Sequence, residues 1–218
     1  MKHIGFIILI SCILCFSACS SDSDSVNNKD AEPVASSVGF SEPSSTSSSE
    51  PTVEHKRVIF EVENYGNFVI ETFPEHAPDT VKHFLSLVSD GYYNGFAISQ
   101  IIPGDIMLTS EESTETSSAS DATFCNTVNG EFALNGRSNT LKLDKYTVAL
   151  THIPEEYDSG MAQFMIILSD NNEYSGKYAG FGRVVEGQDV IDKIVAASCD
   201  YNGKPNSPIV MKKVYINE

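Results

Sequence analysis

The stretch FPEHAPDTVKHFLSLVSDGYYNG, residues 73–95, contains the local signals that decide the fold. Pro78 stands where a first helical turn would begin, with Asp79 directly behind it, and apolar residues then recur at helical spacing as far as Gly91. Proline suits a first helical turn because the N–H that it lacks would have no helical partner there, and glycine is typical of a helix end. The sequence therefore predicts a helix with Pro78 near its first turn and its end at Gly91.

Short strand patterns lie on both sides of this helix. Before it, residues 57–62 and 67–73 alternate apolar and polar side chains around Tyr65-Gly66-Asn67, which predicts a β-hairpin. Strands are also predicted at residues 98–102, 106–108, 147–151, 163–168, 178–185 and 209–216, and a second helix at 188–197. Many short strands with one early and one late helix indicate a mainly β fold, a closed barrel capped at its ends.

The N-terminal part of the chain differs in composition from the rest. Residues 1–18 combine a basic start, an apolar run and a small-residue end, which is typical of a secretory signal and too short for a membrane span. Residues 19–56 are rich in serine and poor in large apolar side chains, so we expect a disordered tether. Residues 57–218 form the predicted domain.

The charge of the chain excludes one class of partner. Its 218 residues include 14 Lys and Arg against 30 Asp and Glu, a formal net charge of -16. Attraction to nucleic-acid phosphates requires clustered Lys and Arg, so we expect no nucleic-acid partner. We expect the domain to be a monomer.

Several motifs of the predicted domain follow one another in the order and spacing of the cyclophilin family, which the domain resembles. These motifs are residues 73–84, 91–95, 101–104, 130–132, 163–164 and 181–187. The resemblance implies an eight-stranded barrel with two capping helices and the ancestry of a peptidyl-prolyl cis-trans isomerase. Separately, Phe16-Ser17-Ala18-Cys19 resembles the lipobox of bacterial lipoproteins, which implies that Cys19 is lipidated and anchors the chain to a membrane.

The reaction that the resemblance implies sets simple chemical requirements. An X–Pro amide isomerises slowly because rotation breaks amide resonance, with a barrier of about 18–20 kcal/mol. A catalyst needs an apolar slot for the proline ring and hydrogen-bond donors that favour the twisted amide. The reaction requires no nucleophile and no metal, and we expect no cofactor. We interpret His76, His83 and His152 as surface or groove residues rather than metal ligands.

The resemblance places two candidate catalytic residues. Gln100 stands where cyclophilins carry an Arg that donates toward the prolyl nitrogen, and Gln163 matches a Gln that binds the substrate backbone. Gln100 has a neutral amide in place of the planar, charged fork of Arg. Loss of one charge-assisted donor commonly lowers a rate by about 10²–10³. We therefore expect the isomerase activity to be reduced.

The resemblance also assigns a substrate pocket in which several positions depart from the family. Asp105, Ile106 and Leu108 replace a Phe, a Met and a Gln, and Met165 replaces a Phe on the pocket floor. Burial of an unpaired carboxylate is costly, so Asp105 is expected to stay solvated or to find a partner. The predicted pocket residues are Ile98, Asp105, Ile106, Leu108, Thr151, His152, Phe164, Met165, Tyr174 and Tyr178.

Two further features leave alternatives open. Residues 109–121 are polar and acidic where the family has a glycine-rich loop, and we interpret them as a solvated loop. Selectivity for basic peptides and weak cation binding are the alternatives. Cys125 and Cys199 could pair in an oxidising exterior, but sequence does not show whether they come within bonding reach.

Three functional hypotheses follow. The first is a proline isomerase that acts on proline-containing segments of exported proteins, held on the extracytoplasmic side of a cell membrane by the lipid on Cys19. The second is a cyclophilin-fold peptide-binding or chaperone module without catalysis, which the substitutions at Gln100, Asp105 and Leu108 favour. The third and weakest is a lipoprotein with a vestigial groove whose acidic face binds a partner.

Overall fold

A computed structural model describes residues 54–113, 126–170 and 173–217. The strands in these ranges are β1 (Arg57–Val62), β2 (Gly66–Thr72), β3 (Phe96–Ile102), β4 (Ile106–Ser113), β5 (Thr147–Leu150), β6 (Phe164–Ile167), β7 (Ala179–Glu186) and β8 (Val210–Asn217). The α-helices are α1 (Pro78–Ser89) and α2 (Gln188–Val195). Neither helix is long and apolar enough to cross a membrane, and the described ranges contain no other helix that is.

The eight strands close into an antiparallel barrel in the order β1-β2-β7-β5-β6-β4-β3-β8. The predicted hairpin is β1 and β2, which pair from Val62 opposite Gly66 outward. Gly66 adopts a φ of +112°, which L side chains rarely reach. The predicted mainly β barrel with two helices is therefore confirmed.

Aromatic rings fill the interior of the barrel. Phe84 of α1 is fully buried and lies 4.8 Å from Phe181, 6.0 Å from Phe164 and 6.5 Å from Phe60 between ring centroids. Phe60 in turn stacks on Phe68 at 4.7 Å. Because α1 shares this core with β1, β6 and β7, the helix and the barrel form one packed unit.

A buried carboxylate from a distant segment caps α1. Ala77 at the N-cap offers no side-chain hydrogen bond, and Glu131, which is 3% exposed, takes that role. Its carboxylate accepts the backbone N–H of Asp79 at 3.1 Å and that of Thr80 at 2.8 Å, and the Thr80 hydroxyl at 2.7 Å. A negative charge at this end of a helix also interacts favourably with the helix dipole. Glu131 therefore ties the segment after residue 126 to the start of α1.

Strand β4 runs further than the sequence predicts. It continues to Ser113, so residues 109–113 belong to the barrel rather than to a solvated loop. Thr109 is buried, and its hydroxyl donates to the carbonyl of Phe164 and accepts the N–H of the same residue, both at 3.1 Å. These bonds satisfy the buried hydroxyl of Thr109. The polar composition of residues 109–121 does not reveal that its first residues belong to a strand.

Some predictions concern residues outside the described ranges. The signal segment, the lipidation site Cys19 and residues 19–53 of the predicted tether precede residue 54, and Cys125 lies in the gap between residues 113 and 126. The pairing of Cys125 with Cys199 therefore stays a prediction. Residues 54–56, which were predicted to end the tether, are described, and the carbonyl of Lys56 accepts the N–H of Thr72 at 2.9 Å, so this end of the predicted tether joins strand β2.

Replacing Glu131 by Ala should destabilise the protein by about 2–4 kcal/mol, because buried N–H groups at the start of α1 would lose their acceptor. Urea unfolding followed by circular dichroism measures the change. The exposed Glu63→Ala variant is the control and should unfold within about 0.5 kcal/mol of wild type. Equal unfolding midpoints for the two variants would show that the carboxylate does not stabilise α1.

His83 on α1 should make the folding stability of the protein sensitive to acid. Its Nε2 lies 2.7 Å from the carbonyl oxygen of Met161, and burial lowers the pKa of His83 more than this contact raises it. Folding then favours neutral His83, so its contribution is present above the ordinary histidine pKa of about 6.5 and is lost as the pH falls below it. His83→Gln should flatten this part of the pH dependence of unfolding, whereas exposed Lys82→Gln should retain it.

Candidate active site

The register of four neighbouring strands brings one row of positions together on the outside of the barrel. Gln100 of β3 pairs with Leu108 of β4, Leu108 pairs with Met165 of β6, and Met165 pairs with Ala149 of β5. Residues that pair directly across a sheet place their side chains on the same face. The row therefore joins the position of the family's Arg to the predicted floor of the proline pocket.

An apolar cluster separate from the barrel interior surrounds this row. Its buried members, which we call the outer apolar cluster, are Ile106, Leu143, Ala149, Met165 and Ile167. Four half-buried side chains pack against it, namely Ile102, Leu108, Tyr174 and Tyr178. The sequence reasoning missed Ile102, Leu143, Ala149 and Ile167. Alternation within the strands could have identified Ile167, because it shares a face with Met165.

Two residues predicted to line the pocket lie elsewhere. Phe164 is fully buried and Ile98 is 3% exposed, and both belong to the core inside the barrel. Phe164 directly precedes Met165 on β6, and neighbouring residues of a strand point to opposite faces of the sheet. Phe164 therefore supports the site from behind instead of lining it.

Two threonines hold the side chain of Gln163. Its Nε2 donates to the carbonyl of Thr109 at 2.9 Å. The hydroxyl of Thr151 lies 3.1 Å from Oε1 of Gln163 and 2.9 Å from its carbonyl oxygen, and it donates toward both. These contacts fix the amide before any peptide arrives, although the sequence did not identify Thr109 as a partner.

Gln100 makes a contact that the sequence did not predict. Its Nε2 donates to the carbonyl of Asn202 at 2.7 Å, and the next residue, Ile101, donates its N–H to the carbonyl of Gly203 at 2.8 Å. Gly203 has a φ of +81°, and a Cβ there would lie 2.5 Å from the Ile101 oxygen. The loop after α2 therefore docks closely on β3 and engages one donor of Gln100.

The side chain of Asp105 is hydrogen-bonded to Tyr174. The Tyr174 hydroxyl donates to the carboxylate, at 2.9 Å from Oδ1 and 3.0 Å from Oδ2. Burial, and then the neighbouring Asp105, raise the pKa of Tyr174 well above its ordinary value, so the hydroxyl keeps its proton. The ring of Tyr174 meets that of Tyr178 edge-on at 5.7 Å, and burial also raises the pKa of Tyr178.

His152 braces the neighbouring wall of the site. Its ring stacks between Phe132 at 5.1 Å and Tyr178 at 4.8 Å. Its Nε2 lies 2.9 Å from the carbonyl oxygen of Lys177, so the segment after β5 is joined to the segment before β7. Among the described residues, no group of three His, Cys, Asp or Glu side chains is arranged to hold a metal ion.

The family model for cyclophilin type peptidyl-prolyl cis-trans isomerase/CLD matches residues 57–216. The chain belongs to the cyclophilin family. Peptidyl-prolyl cis-trans isomerase B of Escherichia coli K12 is 30% identical over 167 residues, which cover 71% of this chain and 96% of that protein. A peptidyl-prolyl cis-trans isomerase of Acinetobacter baylyi is 32% identical over 162 residues, 70% of this chain and 81% of the relative.

A solved structure shows the same fold. The cyclophilin type isomerase of Cryptosporidium parvum is 23% identical and superposes with a TM-score of 0.65 over 76% of this chain and 99% of its own. Family membership makes this chain a peptidyl-prolyl cis-trans isomerase at the family level, and it confirms the resemblance seen in the sequence.

Proposed function

We propose that this chain is a cyclophilin-type isomerase of reduced turnover that acts on proline-containing segments of exported proteins from a lipid anchor on the membrane. The row from Gln100 through Leu108 to Met165 carries the catalytic part of the proposal, because it places an amide donor and an apolar cluster on one face. Gln163, fixed beside this row, supplies a second amide for the substrate backbone.

Proline-containing peptides fit this arrangement chemically. A proline ring requires an apolar surface, and the peptide groups beside it require donors and acceptors held in place. The outer apolar cluster supplies the first, and the side chain of Gln163 supplies the second. The Cryptosporidium parvum cyclophilin was also crystallised in the presence of the dipeptide Ala-Pro, which supports the same class of ligand here.

Reduced turnover follows from the side chain at position 100. A neutral amide stabilises a developing lone pair on the prolyl nitrogen less than a guanidinium does. In addition, one Nε2 proton of Gln100 is engaged by the carbonyl of Asn202. The reaction must then use the second Nε2 proton while the 2.7 Å contact fixes the orientation of the amide.

A binding module without catalysis is the second candidate, and the same contact favours it. If the loop holds Gln100 permanently, its role is to position Asn202 and not to act on substrate. The site would then grip extended peptides through Gln163 and the outer apolar cluster.

Replacing Gln100 by Arg should accelerate cis-trans exchange of an Ala-Pro peptide by about tenfold or more, because a charged fork returns to the position of the family's Arg. Exchange NMR with the purified full chain measures the rate and the peptide shifts together. Gln100→Lys, which adds charge without the planar fork, should give a smaller gain. Peptide shifts without faster exchange in any variant would support the binding module instead.

Membrane attachment should depend on Cys19. In cells that express the full chain, wild type should incorporate fatty acid and sediment with membranes, and protease added outside the cytoplasmic membrane should digest it. Cys19→Ser should lose the lipid and the sedimentation, because two acyl chains are what give stable anchoring. Cys15→Ser, within the signal segment, is the control. A Cys19→Ser protein that stays acylated would contradict the proposed anchor.

A further inference from the structure

The predicted floor of the proline slot is closed in this structure. Met165 is 2% exposed and Ile106 is 8% exposed, so a proline ring that arrived from solvent would find almost no surface of either to touch. Four half-buried side chains pack against the outer apolar cluster that contains this floor, and two of them, Tyr174 and Tyr178, are aromatic rings of the segment before β7. A proline ring that reaches this floor must therefore displace at least one of these four side chains.

Of these two rings, Tyr174 is the one whose hydroxyl makes a hydrogen bond to Asp105, beside the slot. Its hydroxyl donates to the carboxylate of Asp105, which lies in the turn between β3 and β4 and directly precedes Ile106. A hydrogen bond to a charged acceptor is stronger than one between neutral groups. We call this contact the Tyr174–Asp105 latch.

From these observations, and resting on the proposed function, we propose that Tyr174 determines specificity by closing the proline slot, and that the slot opens preferentially for prolines flanked by a basic side chain. Displacing Tyr174 leaves the Asp105 carboxylate at the rim without the hydroxyl that it accepts. A lysine or arginine of the peptide restores a charged partner there, whereas a neutral peptide does not. An acidic side chain adds repulsion.

The charge that a basic peptide side chain can reach at the latch is that of Asp105, because the neighbouring Glu173 is paired with Lys177. Glu173 precedes Tyr174 and is 93% exposed at its side chain, with Lys177 lying 3.8 Å from its carboxylate. Asp105 is half-buried at the rim, where a long basic side chain can reach it from solvent. Tyr174 lies in a segment outside the strands, and such segments rearrange more readily than the barrel does.

The test uses the full chain and three peptides that differ at the residue before proline, Ala-Lys-Pro-Ala, Ala-Ala-Pro-Ala and Ala-Glu-Pro-Ala. We expect wild type to bind the lysine peptide about tenfold more tightly than the alanine peptide, and the glutamate peptide most weakly. Tyr174→Phe keeps the ring but removes the hydroxyl, so it should bind the alanine peptide about tenfold more tightly than wild type does.

Asp105→Asn should reduce the preference for lysine to about twofold or less, because the carboxylate is lost. Glu173→Gln removes one exposed negative charge nearby and is the matched control for the overall acidity of the domain; it should leave the preference near its wild-type value. Isothermal titration gives the affinities, and exchange NMR on the same samples gives the rates.

The outcomes separate the two proposals. Equal affinity for the three peptides, or weaker binding of the alanine peptide by Tyr174→Phe, would overturn the latch while faster exchange still upheld the isomerase. A lysine preference that survives Asp105→Asn would overturn the role of the carboxylate. Absence of binding and of exchange for every peptide and variant would overturn both proposals.

Discussion

The antiparallel register of β3, β4, β6 and β5 is the constraint on which the site depends. It aligns Gln100, Leu108, Met165 and Ala149 across four strands. A slip of one residue would turn Met165 inward and Phe164 outward, since successive side chains of a strand alternate between faces. The aromatic core prevents such a slip, because Phe164 is packed among Phe60, Phe84 and Phe181. The interior of the barrel therefore determines what its outer face presents.

The residues at positions 105 and 174 both differ from those of the family, and each compensates for the other. Taken alone, a carboxylate in place of an apolar pocket residue would carry a desolvation penalty. The hydroxyl of Tyr174 supplies the partner, and its ring adds aromatic surface to the outer apolar cluster. The contact of Gln100 with Asn202 is a comparable adjustment at the first position of the row. Both adjustments replace features of the family's site with hydrogen bonds inside this protein.

Much of the fold could be predicted from local sequence signals. The proline at the start of α1 and the alternation in β1 and β2 are short-range patterns, and they led to the correct elements. The cap of α1 was missed because Glu131 lies more than 50 residues from its partner Asp79. No spacing rule connects two such positions before the barrel has closed.

Prediction of the site was more uneven. Alternation along β6 already implied that Phe164 and Met165 could not both line one pocket, and assigning both to it neglected this rule. Gln100, by contrast, bonds to Asn202, and Asp105 bonds to Tyr174. Both partners lie in loops that are far away in the sequence. Patterns in the sequence therefore identified which positions matter, whereas their hydrogen-bond partners required the three-dimensional arrangement.

Backbone NMR of the wild-type full chain, titrated with Ala-Pro dipeptide, tests the central claim most directly. If the outer face of β3, β4, β6 and β5 is the peptide site, the amide signals of Gln163, Met165 and Tyr174 should shift with the dipeptide concentration and saturate together. Shifts confined to the opposite side of the barrel, around Ile59 of β1 and Tyr215 of β8, would contradict the account.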